Sequence, residues 1–521
     1  MATIDLDALT VDDVRRGALD GRPVTVLGLA RSGVALARFL HDAGARVTVY
    51  DGRAANELEA AIGQLGARAV VLRLGPDVDP ASTWTDAALV ATSPSITNDF
   101  PTTEPRLRGQ LQALVDARAA GDRTAPQLVT EADLFLRLCP SPTIGVTGTK
   151  GKTTTSSLAH AILAADPLHP AVLGGNIGTP LVERLPELTP AHRVVIELSE
   201  LQLPKLSRGT TVAVYTNVTS DHLDRHGTLE AYRRVKRRLA ELVDPDGALV
   251  LNLEDPVVGG YAGLGTAPAV LYRNERPVPG GLGVVDGWIL SAGVERLPLA
   301  GGGAAQSGLG GAIMPVEELQ IPGAHNVSNA LAAIAVGLLF GVAPDAIRRA
   351  ATAFTGVEHR LQTVGMIDGV RFVNDSQGTQ PDAVIAALRA FPAPVVLIAG
   401  GRDKGNDLGD LAQVAASRAY AAVLIGESGP RLESLFNAAG LTRTSQAATL
   451  EEAVTAAARI ARSRLDDLPE GTTATVVLSP AAASFDMFVD YAARGRAFID
   501  AVARLAAPGA RPAGRSDGRP G

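Results

Sequence analysis

The sequence predicts an α/β protein made of three successive parallel-sheet domains. Three observations predict it: short apolar runs alternate with helix-length segments, the alternation recurs in three blocks, and in the first two a β-run passes through a glycine-rich turn directly into a helix. A chain of 521 residues is also too long for one hydrophobic core, and 46% hydrophobic content suits folded rather than disordered domains.

The first block, residues 1–128, opens with a strand at PVTVLGL and a helix from Ser32 to Ala43. A strand at RVTVYD, a helix from Asn56 to Leu65 and apolar runs at AVVL and AALVATSP follow. The polar, arginine-rich stretch Thr102 to Pro126 reads as a helix-containing connector. The second block, 129–355, begins at TIGVTG with a helix from Lys152, continues through strands VVIEL and VAVYTNV and a helix from Leu229 to Leu242, and closes with an apolar helix from Asn326 to Phe340. Its glycine-rich segment 299–312 reads as a mobile loop or hairpin tip. The third block, 356–507, carries strands VRFVND, PVVLIAG, AAVLIG and TATVVLS. The last residues, 508–521, lack apolar periodicity and read as a disordered tail.

Composition excludes several function classes. The N-terminus has no apolar leader and no stretch reaches the roughly 18 apolar residues of a membrane helix, so the expected location is cytoplasmic, without membrane insertion. The single cysteine, Cys139, precludes an intrachain disulfide and sits in an apolar setting that suits a small core residue. A net charge of −7 argues against nucleic-acid binding, which needs a basic surface to displace counterions from phosphate. Of 48 lysines and arginines only five are lysine, at 150, 152, 205, 236 and 404. A lysine kept in so arginine-rich a chain marks a place where a compact or modifiable amine is needed; chance retention is accepted for Lys205.

The most specific local signal is TIGVTGTKGKTTT. Backbone N–H groups of such a turn and the following helix start cradle phosphate, with Gly148, Thr149, Lys150 and Gly151 in the loop, Lys152 reaching terminal phosphates, and Thr153 and Thr154 opening the helix. The spacing departs from the strict P-loop, because Val146 stands where a glycine is usual. In the first block GLARSG also joins strand to helix, with Asp51 ending the next strand, as in a dinucleotide fold. There Ala30 replaces the second glycine, which leaves a structural turn and a nucleotide site equally open. Glu197 ends the strand VVIEL, and His222 and Asp224 follow another strand; such ends converge on a crevice where, with Thr153, they could hold Mg2+. Asp221 and Arg225 read as a solvated loop.

Together these motifs resemble the Mur ligase family, specifically its D-glutamate-adding branch. The resemblance rests on GTKGKTT, GGNIGTP, IELSELQL and TNVTSDHLDRHGTLEAYRRVK in that order. It extends through GAHNVSNALAA, EHRLQ, NDSQGTQPDA, GGRDKGND and LSPAAASFDMF, and covers nearly the whole chain except the tail. It implies a Rossmann-like UDP-binding domain, a central P-loop ATPase domain and a C-terminal Rossmann-like glutamate-binding domain. It implies that Lys152, Thr153, Asn176, Asn329, Arg360 and Asp375 bind ATP, and that Thr153, Glu197, His222 and a carbamylated Lys236 hold two Mg2+ ions. Lys152, His222, Lys236 and Arg360 would then serve catalysis. Thr379, Lys404, Ser484 and Tyr491 would bind glutamate, with Asp51 and Arg53 near the uridine diphosphate and Ser199 also on the substrate side.

The implied reaction phosphorylates the carboxylate of UDP-N-acetylmuramoyl-L-alanine and lets the glutamate amine displace phosphate, by a monomer acting on small molecules in peptidoglycan precursor synthesis. Five positions depart from the branch pattern: Gln377 for a lysine, Lys150 for an asparagine, Glu200-Leu201 for Ser-Phe, and Ser95 for a glycine. Gln377 keeps open a relative that adds L-glutamate; a ligase of the superfamily adding another amino acid, or one like folylpolyglutamate synthase, is a further alternative. A non-ligating P-loop NTPase regulator is the reading from another class.

Overall fold

The computed structural model describes residues 4–101, 103–219, 223–321, 323–403 and 407–506. The chain forms two compact units, one ending at Phe354 and one beginning at Thr355. Among the described residues these hold three sheets, two in the first unit and one in the second.

The first sheet comprises β1 (Pro23–Leu27), β2 (Arg46–Asp51), β3 (Val71–Leu74), β4 (Leu89–Thr92) and β5 (Gln127–Thr130), all parallel, in the order β3-β2-β1-β4-β5. From β1 the chain builds outward to β2 and β3, then crosses to β4 on the other flank. That reversal opens a crevice at the carboxyl ends of β1 and β4. Helix α1 (Arg31–Asp42) follows β1 and buries Val34, Leu36, Phe39 and Leu40 on the sheet. The expected helix from Asn56 is shorter: a 3-10 turn, Ala55–Glu57, precedes the helix Glu59–Leu65. The connector contains the helix Pro105–Ala119, capped by the Glu104 carboxylate on the Arg106 and Leu107 amides. Strand β5 pairs with β4 and runs through Thr130, two residues past the position at which the sequence ended its first block.

The second sheet holds β6 (Thr143–Thr147), β7 (Ala171–Gly175), β8 (Arg193–Glu197), β9 (Val212–Tyr215), β10 (Ala248–Asn252), β11 (Ala269–Tyr272), β12 (Leu282–Val285), β13 (Trp288–Ser291) and β14 (Ala312–Pro315). Their order is β14-β13-β12-β11-β10-β9-β6-β8-β7, parallel except for the antiparallel β12-β13-β14 edge. The glycine-rich segment 299–312 lies in the connection between β13 and β14 and reaches the first residue of β14; that connection carries two 3-10 turns, Pro298–Ala300 and Leu309–Gly311. Strands β6, β8, β9 and β10 are buried at every position, and each fully buried Val, Ile or Leu is worth about 1.5–3 kcal/mol. Helices α2 (Lys152–Ala164), α3 (Leu229–Glu241) and α4 (Ala324–Leu339) surround the sheet. Helix α4 is buried at every position from Asn329 to Leu339, as an all-round apolar helix must be. It presses on α2 where Gly337 faces Ile162, an approach a Cβ would block.

The third sheet holds β15 (Gln362–Ile367), β16 (Val370–Asn374), β17 (Val395–Gly400), β18 (Ala419–Ile425), β19 (Thr444–Gln446) and β20 (Ala474–Leu478), ordered β15-β16-β20-β17-β18-β19. Only β15 is antiparallel. It pairs with β16 through Asp368 and Gly369, both at positive φ as a two-residue hairpin turn requires. A long helix, α5 (Tyr491–Ala506), closes the described chain. Among the described residues no helix is long and apolar enough to cross a membrane.

Candidate active site

The phosphate loop lies where β6 ends, at the switch point of the second sheet. Strand β6 is flanked by β8 and β9, and the register sets Glu197 beside both Val146 and Gly175, and Tyr215 beside Thr147. Three carboxyl ends therefore meet around residues 148–151. The loop is held by its neighbours: the Thr149 amide donates to the Asn217 carbonyl at 2.8 Å, the Lys150 amide to Asn217 Oδ1 at 3.0 Å, and the Thr216 hydroxyl to the Lys150 carbonyl at 2.6 Å. A Cβ on Gly148 would run into the Thr216 hydroxyl and one on Gly151 into the Asn329 amide; both glycines sit at positive φ. Asn329 comes from α4, so the packing of that helix sets the loop's far wall. Its Oδ1 accepts from the Thr155 hydroxyl at 3.3 Å.

Two lysines converge here. Lys152 Nζ donates to the carbonyls of Gly148 at 3.1 Å and Thr149 at 2.8 Å, so its amine rests on the loop backbone. Lys236, fully buried on α3, donates to the same Gly148 carbonyl at 3.0 Å and to the Thr147 hydroxyl at 3.2 Å. Tyr232, one turn earlier on α3, bonds the Thr149 hydroxyl at 3.0 Å and places its ring 5.5 Å from Lys236 Nζ. Thr153 is buried and Thr154 half-buried on the first turn of α2, whose N–H groups and dipole favour an anion.

Glu197 is buried at the end of β8. Its Oε1 accepts from Asn176 Nδ2 at 2.8 Å, while Oε2 is buried with no hydrogen-bond partner among the described residues. An orphaned carboxylate oxygen costs desolvation energy unless a cation or donor meets it, so this group fits a divalent metal. Among the described residues no three His, Cys, Asp or Glu side chains cluster as a metal cage; the expected ligand His222 lies outside the described residues. Ser199 is tied to Gln202 Oε1 through both amide and hydroxyl, each at 2.9 Å. Glu200 is buried and accepts from Arg225 at 3.2 Å, so Arg225 is engaged by a buried carboxylate rather than being a purely solvated charge.

At the first-sheet turn, the Gly28 amide donates to the Tyr50 carbonyl at 2.7 Å, and a Cβ on Gly33 would strike the Gly28 carbonyl. Asp51 accepts from the Leu29 amide at 2.8 Å and from the Arg53 guanidinium at 2.8 and 3.0 Å. Burial pushes its carboxyl upward, but the Arg53 and backbone hydrogen bonds win and hold it below the usual range. Ser93, after β4, has a buried hydroxyl without a partner among the described residues, beside Gly28.

In the second unit Asp375 is buried after β16. Ser479 donates to its Oδ2 at 2.6 Å and the Leu361 amide to Oδ1 at 3.2 Å. Burial nevertheless pushes its carboxyl up to about 6. Arg360 is exposed between His359 and Leu361, both at positive φ, so EHRLQ is a strained segment. Arg494, fully buried on α5, donates to Ser376 Oγ at 3.0 Å, to the Ser376 carbonyl at 2.9 Å, and to the carbonyls of Ala482 and Ala483 at 3.2–3.3 Å. It binds the segment carrying Thr379 to the one carrying buried Ser484. Burial pulls its guanidinium down to about 10, against the charge of Asp486. Tyr491 is exposed, and its carbonyl accepts from the Ser376 hydroxyl at 2.7 Å; Lys404 lies outside the described residues.

Comparison with known proteins bears on this geometry. The family model for the Mur ligase middle domain matches residues 146–272, and that for the Mur ligase glutamate ligase domain matches 359–482. A UDP-N-acetylmuramoylalanine--D-glutamate ligase of Symbiobacterium thermophilum is 36% identical over 92% of this chain and 97% of its own. This chain belongs to the Mur ligase family. A protein of the same name from a Roseiflexus species is 37% identical over 92% of this chain and 98% of its own. The UDP-N-acetylmuramate-alanine ligase of Thermotoga maritima shares the fold, with a TM-score of 0.52 at 19% identity, covering 93% of this chain and 99% of that one.

Within this Mur ligase the structure gathers Gly148 to Thr154, Asn176, Glu197, Lys236 and Asn329 around one switch point. Asp51 and Arg53 stand together at another, and Asp375, Thr379 and Ser484 belong to the second unit. Sequence reasoning missed Ser93, Tyr232 and Arg494. Arg494 offered no signal among so many arginines, whereas Tyr232 stands four residues before Lys236 and so on its helix face.

Proposed function

We propose that this Mur ligase joins D-glutamate to UDP-N-acetylmuramoyl-L-alanine at the expense of ATP, through an acyl phosphate, releasing ADP and phosphate. The observation that carries the reading is the end-to-end match to curated D-glutamate ligases, which spans the glutamate-side segments as well as the phosphate loop. A carboxylate is a poor electrophile, so it must first be phosphorylated. That step asks for positioning and charge neutralisation rather than a covalent enzyme intermediate.

In this reading the loop 148–151 and the start of α2 cradle the ATP phosphates, and Lys152 leaves its own backbone carbonyls to meet them. Asn329, Arg360 and Asp375 complete the nucleotide's contacts. Thr153, Glu197, His222 and a carbamylated Lys236 would hold two Mg2+ ions, which supply charge neutralisation. Lys152 and Lys236 share the Gly148 carbonyl, and converting one of these crowded amines to a carbamate replaces repulsion with attraction and adds a carboxylate-like ligand. Asp51, Arg53 and Ser199 would bind the nucleotide sugar; Thr379, Lys404, Ser484 and Tyr491 would bind glutamate. The division of labour follows domains at 1–128, 129–355 and 356–507.

The test is to supply UDP-N-acetylmuramoyl-L-alanine, ATP, Mg2+ and either enantiomer of glutamate, and to weigh the product. A glutamyl adduct with the D enantiomer alone is expected. Product only with the L enantiomer, or ATP turnover indifferent to any acceptor, would overturn the reading.

A further inference from the structure

Arg31 stands at the first position of α1, in the turn GLARSG, yet its guanidinium reaches the second sheet. It donates to the carbonyls of Gly178 at 3.1 Å and of Gly175 and Asn176 at 3.3 Å. That segment carries Asn176, whose amide donates to the Glu197 carbonyl at 2.9 Å and whose side chain holds Glu197 Oε1 at 2.8 Å. The free oxygen of Glu197 is the orphaned one. On its other side Arg31 follows Leu29, whose amide is fixed by Asp51, itself paired with Arg53. Hydrogen bonds of 3.3 Å or less, joined by the covalent chain through Ala30 and Asn176, thus link the Asp51–Arg53 pair to the Glu197 carboxylate. Glycines at 175 and 178, both at positive φ, make the segment deformable on its own. Pairing of Gly175 with β8 and the Asn176 amide on Glu197 hold one side of it, and three bonds to one planar guanidinium tie its carbonyls on the other, a geometry a lysine cannot reproduce.

We propose that Arg31 is a positioning residue that sets the Asn176–Glu197 pair for a divalent cation, and that it links occupancy of the first-sheet turn by an anionic nucleotide sugar to cation affinity at Glu197. The identity of that ligand rests on the ligase reading above; the clamp itself does not. An anion arriving at the turn competes for or reinforces the guanidinium's bonds, and by linkage any effect of the nucleotide sugar on the cation is matched by an equal effect of the cation on the nucleotide sugar.

The test is a titration of the full-length protein with Mn2+, followed by the paramagnetic signal of the free ion, with UDP-N-acetylmuramoyl-L-alanine present or withheld. Glu197→Gln localises the ion by abolishing the tight phase. Arg31→Ala is expected to weaken Mn2+ about tenfold and to bring the nucleotide-sugar effect close to onefold; Arg31→Lys should restore only part of either, with the melting temperature of both variants near wild type. Unchanged Mn2+ affinity and unchanged coupling in Arg31→Ala would overturn the proposal, as would a wild-type protein whose Mn2+ binding ignores Glu197→Gln. Failure of the ligase reading shows separately, as absence of glutamyl product from the wild-type enzyme.

Discussion

The first unit contains two turns built on one plan, a buried strand passing through glycines into a helix, and they differ in what fills them. At Gly28–Gly33 an acidic side chain, Asp51, takes the Leu29 amide, and the glycine at 33 is needed because its helix turn touches the Gly28 carbonyl. At Gly148–Gly151 no carboxylate accepts from a loop amide among the described residues; the carbonyls instead receive two lysine amines, and the walls are neutral Thr216, Asn217 and Asn329. Glycine shapes both turns, but at the first a carboxylate already takes a loop amide, whereas at the second the loop amides face no acid among the described residues and two lysine amines stand by, the setting a triphosphate needs.

The largest expected break in this contrast is Lys152→Ala. Removing a cation aimed at developing phosphate charge should lower kcat for phosphate release by about a hundredfold to a thousandfold, while Arg31→Lys, at the other turn, leaves turnover far less affected. Next come the glycines themselves. Gly148→Ala, forced against Thr216, and Gly33→Ala, forced against the Gly28 carbonyl, should each cost on the order of 2–3 kcal/mol of stability in calorimetry. Equal losses of ATP binding in the two variants would erase the distinction between the turns.

A smaller effect, with a sign set by protonation, is expected at Glu131. It is fully buried at the head of the helix Glu131–Leu138 and accepts from the Val182 amide at 3.3 Å, just beyond the segment that Arg31 clamps. Burial pushes its carboxyl up to about 7 from an ordinary value of 4.5. The folded state therefore holds a proton that the unfolded chain has released between those values, so its contribution to stability falls as pH rises from about 4.5 through 7. Glu131→Gln keeps the acceptor without the charge. Its melting temperature should gain on wild type across that window, by on the order of 2 kcal/mol in stability at pH 8; parallel pH profiles would refute it. The smallest effect is at Asp51→Asn, which keeps an acceptor for Leu29 and loses the Arg53 ion pair. A loss of about 1 kcal/mol is expected, because Arg53 is half exposed and solvent screens the pair.

The sequence by itself determined the α/β class, the three sheet-bearing blocks, the phosphate loop and the importance of its few lysines. Those are local properties, carried by periodicity, by glycine before a helix and by residue type. The hairpin strand β15 was legible in principle from the Asp368-Gly369 pair but passed unread, because its side chains are only partly buried and the run is broken by Gly365. What only the tertiary structure decided is which distant side chains share a wall. Asn329 reaches Gly151 because an apolar helix far along the chain is pressed onto α2. Arg31 reaches residues 175–178 from a different sheet, and Arg494 gathers two loops of the second unit from inside its core. None of these leaves a periodic or compositional trace, since a buried guanidinium and a solvated one are spelled with the same letter. Their meaning comes from the carbonyls that folding brings within reach and from the high cost of leaving such groups unpaired away from water.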